Sequence, residues 1–370
     1  MSNPIRVLCV FSKLDRGGAE TMCMNLYRNI DRNKVQFDFV KHTHEKGAFE
    51  DEIVNLGGII YEAPRYKIYN YCQYRSWWIN HFKNHPEHKI VHGHFFTISS
   101  VYFRFAHEMS RITIGHSHST SHVDYSVKNT MKYMLVKRVE QYSDYCFACS
   151  ENAGKWVFPH KEFFVLNNAI DSDLFKYNEE TRRRIRREFG VSERYVVGHI
   201  GNFSPPKNHR FIIEIFNEIR KKDNNALLIL IGDGELRARI EQLVYDYDLD
   251  DSVIFAGVRD DIPTVIQSFD VFLFPSLYEG LGIVAVEAQA SGLHTICSNV
   301  IPREVELTDL VDFVSLDKSA EEWADIVLKY NNGYKREDVT EEIVKAGYDI
   351  HDTAQQLQEF YIKTAESVMK

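Results

Sequence analysis

The segment Phe274-Pro-Ser276-Leu-Tyr-Glu279-Gly280-Leu281-Gly282-Ile-Val-Ala-Val-Glu287-Ala holds two carboxylates eight positions apart around a glycine-rich turn. One carboxylate stands ahead of a helical stretch and the other about two turns into it, so both can reach the helix's N-terminal end. Carboxylates so placed accept pairs of hydrogen bonds from neighbouring hydroxyls, which suits a sugar or a ribose. The purely structural use of the same pair is a capping group plus a solvated one.

Gly201-Asn202-Phe-Ser-Pro-Pro-Lys207-Asn-His209 sets a lysine in a loop before another helical stretch. A point charge beside helix amides suits a diphosphate. Gly17-Gly18-Ala-Glu20 and Gly232-Asp-Gly234 follow strand-like runs and let a ligand approach the backbone closely, or simply make tight turns. Their spacing departs from GxGxxG, which argues against a nicotinamide or flavin site. His116-Ser-His118 follows another run and belongs with His92, His94 and His122 to a histidine-rich region. Ser and Thr interleave there and no Cys or carboxylate stands at ligand spacing, so no metal is expected.

These residues need a scaffold, and short apolar runs alternating with longer amphipathic stretches supply one: the pattern of βα units, occurring twice. Strands are expected at 6–11, 37–40, 59–61, 90–92, 112–114 and 145–149, then at 195–200, 226–231, 253–255, 271–274 and 294–297. Helices are expected at 19–29, 74–83 and 126–142. The reading is α/β, two Rossmann-like doubly wound domains over 1–166 and 167–349, with a helix at 350–370. Open sheets of this kind bind ligands beyond the carboxyl ends of their strands, so a cleft between the domains is expected.

Composition narrows the classes. The 370 residues carry 44 Lys+Arg against 53 Asp+Glu, a net charge of −9 that argues against nucleic-acid binding. Residues 1–165 nevertheless hold 21 Lys+Arg and 16 Asp+Glu, net +5, leaving 23 against 37, net −14, for the rest. Only the first half suits an anionic surface. Lys128, Lys132, Lys137 and Arg138, with Tyr125, Met131 and Met134, form a basic, partly apolar helical stretch that fits either anionic lipid or an ordinary amphipathic helix. The six cysteines read as small buried hydrophobes of a reducing compartment, Cys146-Phe-Ala-Cys149 included, because that CxxC lies in a strand rather than opening a helix. No signal peptide or membrane span is visible, so a cytoplasmic protein, at most peripheral on the inner membrane face, is expected.

Glu279 to Glu287 resembles the Glu, seven residues, Glu signature of retaining glycosyltransferases with the two-domain GT-B architecture. The surrounding Pro275 to Gly282 is similar to glycosyltransferase family 4. Gly17-Gly18-Ala-Glu20, Asn168-Ala-Ile-Asp171, Lys207-Asn208, Gly232-Asp-Gly234 and Phe255 to Asp261 follow the family's order over most of the chain, most like bacterial enzymes of exopolysaccharide and capsule assembly. The resemblance implies a nucleotide-sugar donor, a UDP-sugar, and a glycan or polyprenyl-diphosphate-linked acceptor, with no metal or other cofactor. It implies that Glu279 and the amides of Gly280, Leu281 and Gly282 hold the donor sugar, and that Glu287 holds the ribose. Lys207 would neutralise the diphosphate, Gly17, Gly18 and Gly232 would approach the donor, and Val258 would frame the base. A histidine, His118 or His116, would stand against the sugar near the reacting centre. Asn202 departs from the family, which commonly has a phosphate-binding arginine there. Two other readings fit parts of the pattern: a catalytically silent nucleotide-sugar-binding subunit and a GT-B sugar-nucleotide epimerase.

Overall fold

The computed structural model describes residues 3–94, 96–118 and 134–368. The chain forms two compact units, Met1–Ala169 with Gly347–Lys370, and Ile170–Ala346.

In the first unit the strands are β1 Ile5–Val10, β2 Val35–Lys41, β3 Ile60–Glu62, β4 Ile90–Gly93, β5 Ile112–Ser117, β6 Tyr145–Ala148 and β7 Phe164–Val165. They form a parallel sheet in the order β3-β2-β1-β4-β5-β6-β7. Strand side chains alternate faces, and β1 shows the consequence. Val7 and Cys9 enter one apolar core and Leu8 and Val10 the other, so both faces are covered and the strand is apolar throughout. The helix Ile350–Val368 completes the first of these cores through Ile350, Ala354, Leu357, Tyr361 and Ala365, which pack with Val7, Phe37 and Leu26.

The second unit has β8 Tyr195–Ile200, β9 Ala226–Ile231, β10 Val253–Gly257, β11 Val271–Phe274, β12 Thr295–Ser298 and β13 Val311–Val314, again parallel, in the order β10-β9-β8-β11-β12-β13. Val197, Leu228, Leu230, Leu273 and Ile296 pack against Ile212, Phe216 and Trp323 from the covering helices. Strand β13 was not anticipated, because Asp312 interrupts its apolar run; an edge strand tolerates that charge, here accepting a hydrogen bond from Tyr330 Oη at 2.6 Å.

Five of the cysteines are buried and Cys72 is exposed, a correction to the reading of it as a core residue: the first turn of the helix Tyr71–Asn84 turns it outward. Most of the basic stretch expected at 126–142 lies outside the described residues, including Tyr125, Lys128, Met131 and Lys132. In its described part Met134 and Arg138 are exposed, while Lys137 Nζ donates to the Trp156 carbonyl at 3.1 Å. Among the described residues no helix is long and apolar enough to cross a membrane.

Candidate active site

Parallel strands bring every β-to-α loop of a sheet to one edge, and loops part where the strand order reverses. In the second unit that reversal lies between β8 and β11, which pair at Val197↔Val271 and Gly198↔Phe272. Lys207 stands in the loop after β8 and Glu279 in the loop after β11. Their Nζ and Oε1 meet at 2.7 Å, with the side chains 19% and 11% exposed.

The two loops are pinned to each other. Pro205 and Pro206 open a short 3-10 turn, Asn208 adopts a left-handed conformation (φ 56°), and its Nδ2 donates to the Pro275 carbonyl at 3.0 Å. The Leu277 amide donates back to the Pro206 carbonyl at 2.8 Å. Phe274, the last residue of β11, lies with its ring centroid 5.2 Å from the Lys207 ammonium, adding a cation–π contact. Gly201 leaves room for the buried His199 and for the lysine stem: a Cβ there would lie 2.9 Å from His199 Nε2 and 3.3 Å from Lys207 Cγ and Cδ.

Glu287 lies in the helix Ile283–Ala290, which Gly282 opens with a left-handed φ of 88°. It stands one turn into that helix rather than the expected two, because the helix starts only after the glycine turn. Its side chain is half-buried and, among the described residues, takes no hydrogen bond. Burial pushes its carboxyl up to about 7, with Lys207 pulling the other way. Lys207 therefore acts on both carboxylates while bonding only Glu279.

At Gly232, with φ 133°, a Cβ would come 2.1 Å from the Gly201 carbonyl oxygen; only glycine lets the loops after β8 and β9 approach this closely. Asn202 is exposed beside them, Val258 is 54% exposed after β10, Gly280 is half-buried, and Leu281 is buried under the turn. A cavity of about 500 Å³ also exists in this unit, lined by Pro205, Asn208, Leu236, Arg239 and Leu243, and it does not include Lys207, Glu279 or Glu287.

In the first unit the order reverses between β1 and β4. Gly17 caps the helix Gly18–Asn29 without a side-chain bond, and a Cβ on Gly18 would meet nothing within 4 Å. Packing does not require Gly18, which leaves its backbone open to a ligand. His92 and His94 come from β4 and the residue beyond it; His116 and His118 come from β5 and its end. His116 is fully buried and His118 partly exposed, so of the two only His118 reaches the surface. Burial holds His118 down at about 3 and His116 well below its ordinary value, with neighbouring imidazoles adding to the effect on His116.

His92, His94 and His116 offer nitrogens within 4.8 Å of one another. Both His92 nitrogens are committed, however, Nδ1 to Tyr361 Oη at 2.5 Å and Nε2 to His116 Nδ1 at 3.2 Å. Two uncommitted nitrogens remain, His94 Nε2 and His116 Nε2; the fold also brings the thiols of Cys9 and Cys23 within 4.8 Å of His94, a grouping that spacing along the chain did not suggest and a correction to the expectation that no cysteine stands at ligand distance.

Sequence reasoning assigned no role to Phe274 under the lysine or to Tyr361 beside His92. Phe274 reads as core from its strand, and nothing local marks Tyr361, since its partner lies 269 positions away.

Residues 16–174 match the family described as Glycosyltransferase Family 4, and residues 181–347 match the one described as Glycosyl transferases group 1. The chain is 32% identical over 374 residues to EpsF, a protein of Bacillus subtilis (strain 168) named as a glycosyltransferase, with 97% of each chain covered. Over 218 residues, 51% of this chain and 55% of the other, it is 30% identical to the UDP-Gal:alpha-D-GlcNAc-diphosphoundecaprenol alpha-1,3-galactosyltransferase of Escherichia coli. The solved structure of Anabaena HepE in complex with UDP and glucose superposes with a TM-score of 0.78 at 18% identity, covering 96% of this chain and 99% of that one. Two parallel-sheet units of GT-B type, carrying these sequence matches over nearly the whole length, place the chain among the glycosyltransferases: it belongs to glycosyltransferase family 4.

Proposed function

We propose that this glycosyltransferase moves a hexose or N-acetylhexosamine from a UDP-sugar to a polyprenyl-diphosphate-linked glycan in bacterial surface-polysaccharide synthesis, with retention at the anomeric carbon. The observation that carries the reading is the Lys207–Glu279 pair at 2.7 Å beside the unbonded Glu287 carboxylate. One cation and two carboxylates at a strand-order reversal match a ligand with an anionic centre and hydroxyls on either side, which describes a nucleotide sugar. The names of the relatives support the donor and acceptor classes: UDP and glucose for the Anabaena protein, UDP-Gal and a diphosphoundecaprenol acceptor for the Escherichia coli enzyme.

In this scheme Lys207 transfers its hydrogen bond from Glu279 to the arriving diphosphate. Glu279, so released, accepts hydroxyls of the donor sugar, with the amides of Gly280, Leu281 and Gly282 alongside. Glu287 accepts the ribose hydroxyls. The bond from the anomeric carbon to the phosphate oxygen breaks, its electron pair goes to the diphosphate, and Lys207 stabilises that charge. The acceptor hydroxyl attacks the oxocarbenium-like carbon from the same face and passes its proton to the departing phosphate oxygen. Positioning does most of the remaining work, and the scheme requires neither a covalent nucleophile on the protein nor a metal ion.

Thermal-shift screening against UDP-, GDP- and ADP-sugars tests the donor, followed by diphosphate release with and without a lipid-linked acceptor and assignment of the product anomer by NMR. Stabilisation by a UDP-sugar, with release and a retained configuration, is expected. Near wild-type activity in Glu279→Ala overturns the site. Asn202 favours one other outcome, donor binding without release from any acceptor, which identifies a silent subunit.

A further inference from the structure

Strands β4 and β5 pair at His92↔Ile114 and Gly93↔Gly115, so His94 comes level with His116 and four imidazoles share one sheet face. Their ring centroids lie 4.2 Å apart for His92 and His94, 5.0 Å for His94 and His118, 4.1 Å for His116 and His118, and 5.2 Å for His92 and His116. Two hydrogen bonds join them in pairs: His94 Nδ1 to His118 Nε2 at 2.8 Å, and His92 Nε2 to His116 Nδ1 at 3.2 Å. Tyr361, on the C-terminal helix, closes the second pair at His92 Nδ1.

Counting protons orients this network. Burial keeps all four imidazoles neutral at pH 7, so each carries one N–H. Tyr361 is fully buried and its one hydrogen bond among the described residues is to His92, so its hydroxyl proton must enter that bond. His92 then holds its own proton on Nε2 and donates to His116 Nδ1. The opposite direction would spare His116 its buried, unpartnered Nε2–H but strand the phenol's proton instead, and the short Oη–Nδ1 separation of 2.5 Å suits an O–H donor. On the other limb, His94 Nε2 is buried without a partner. A bare lone pair there costs less than a stranded N–H, which places the proton on His94 Nδ1, donating to His118 Nε2. His118 is left with its proton on Nδ1, the nitrogen still available to a ligand.

We propose that His94 and Tyr361 are positioning residues for His118: His94 fixes it as the Nδ1–H tautomer, and Tyr361, through His92 and His116, locks the stack against which it rests, so that His118 offers a neutral N–H to an oxygen of the donor sugar. The last clause rests on the transferase reading; the tautomer does not. A neutral donor is the useful form beside an oxocarbenium-like carbon, since an imidazolium would repel the charge that develops there.

Long-range ¹H–¹⁵N correlation spectra of the histidine side chains in the full chain read the tautomers without any substrate. Wild-type His118 is expected as Nδ1–H. His94→Leu should convert it to a tautomer mixture and lower kcat/KM about 30-fold, while His94→Asn, whose amide restores a donor near the Nδ1 position, should recover most of both. Tyr361→Phe keeps the ring packing and is expected to shift the His92 and His116 tautomers and lower kcat/KM about fivefold. An Nε2–H His118 in the wild type, or a His118 unmoved by His94→Leu, overturns the proposal. Because the spectra need no turnover, a chain that transfers no sugar but shows the expected tautomers counts against the transferase reading alone.

Discussion

In the second unit the strand-order reversal carries a lysine and a carboxylate in its loops and a second carboxylate in the helix that follows; in the first unit two glycines follow β1 at the reversal and four neutral imidazoles lie on β4, β5 and the residues just beyond them. Both sheets are parallel and both reversals leave loops parted, so the architecture does not explain the difference. Under the proposed function, the chemistry each unit would hold does. A departing diphosphate is held by charge, and the Lys207–Glu279 pair stores that charge without leaving either group alone in a partly buried site. A sugar whose anomeric carbon becomes cationic would be met with less repulsion by neutral donors than by cations, and burial keeps the imidazoles neutral.

The comparison can be broken at the charged end first. Lys207→Ala should lower kcat by roughly 10²–10³-fold, the usual cost of removing a stabiliser of developing negative charge, while binding of the unphosphorylated nucleoside stays unchanged. A loss below tenfold in stopped diphosphate-release assays would mean that charge in the second unit is structural. Next comes the neutral end: His118→Ala should lose about 100-fold, and His118→Lys should lose more than His118→Asn, because a cation is the wrong group there. Equal activity of the Lys and Asn variants would erase the contrast between the units.

Glu287 sharpens the same contrast through pH. Its carboxyl titrates at about 7 in the fold against an ordinary 4.5, so the folded protein binds the extra proton and stability falls as pH rises from about 4.5 to about 7. If Glu287 takes the ribose as proposed, nucleotide affinity should move the opposite way, rising through pH 7 as its carboxylate forms. Glu287→Gln should flatten the pH dependence of the melting temperature and weaken nucleotide binding about tenfold by calorimetry. The smallest effect is expected from Asn202→Arg, which adds a fixed charge at an exposed position and should tighten nucleoside-diphosphate binding about fivefold, less at high salt.

Much of the fold was readable because a parallel strand buried on both faces has to be apolar along its length, as Ala226–Ile231 is. β13 escaped for the converse reason, an edge strand being free to carry Asp312. At the site, Glu279, Glu287 and Lys207 announced themselves by residue type next to glycine or proline turns. Phe274 and Tyr361 did not, since an aromatic residue in a strand or on a helix reads as core whether or not a cation or an imidazole lies against it.

Residue order along the chain was enough to establish two rounds of βα units, glycine turns after strands, a lysine in a loop, and a carboxylate on each side of a helix start, because periodicity and turn chemistry are local properties. Folding settled what depends on register and on partners distant in sequence. The order β8-β11 places Lys207 against Glu279 across 72 positions, and the pairing of β4 with β5 stacks four imidazoles. Burial then separates His116 from His118, sealing one ring inside and leaving the other within reach of a ligand, although the two stand only two residues apart.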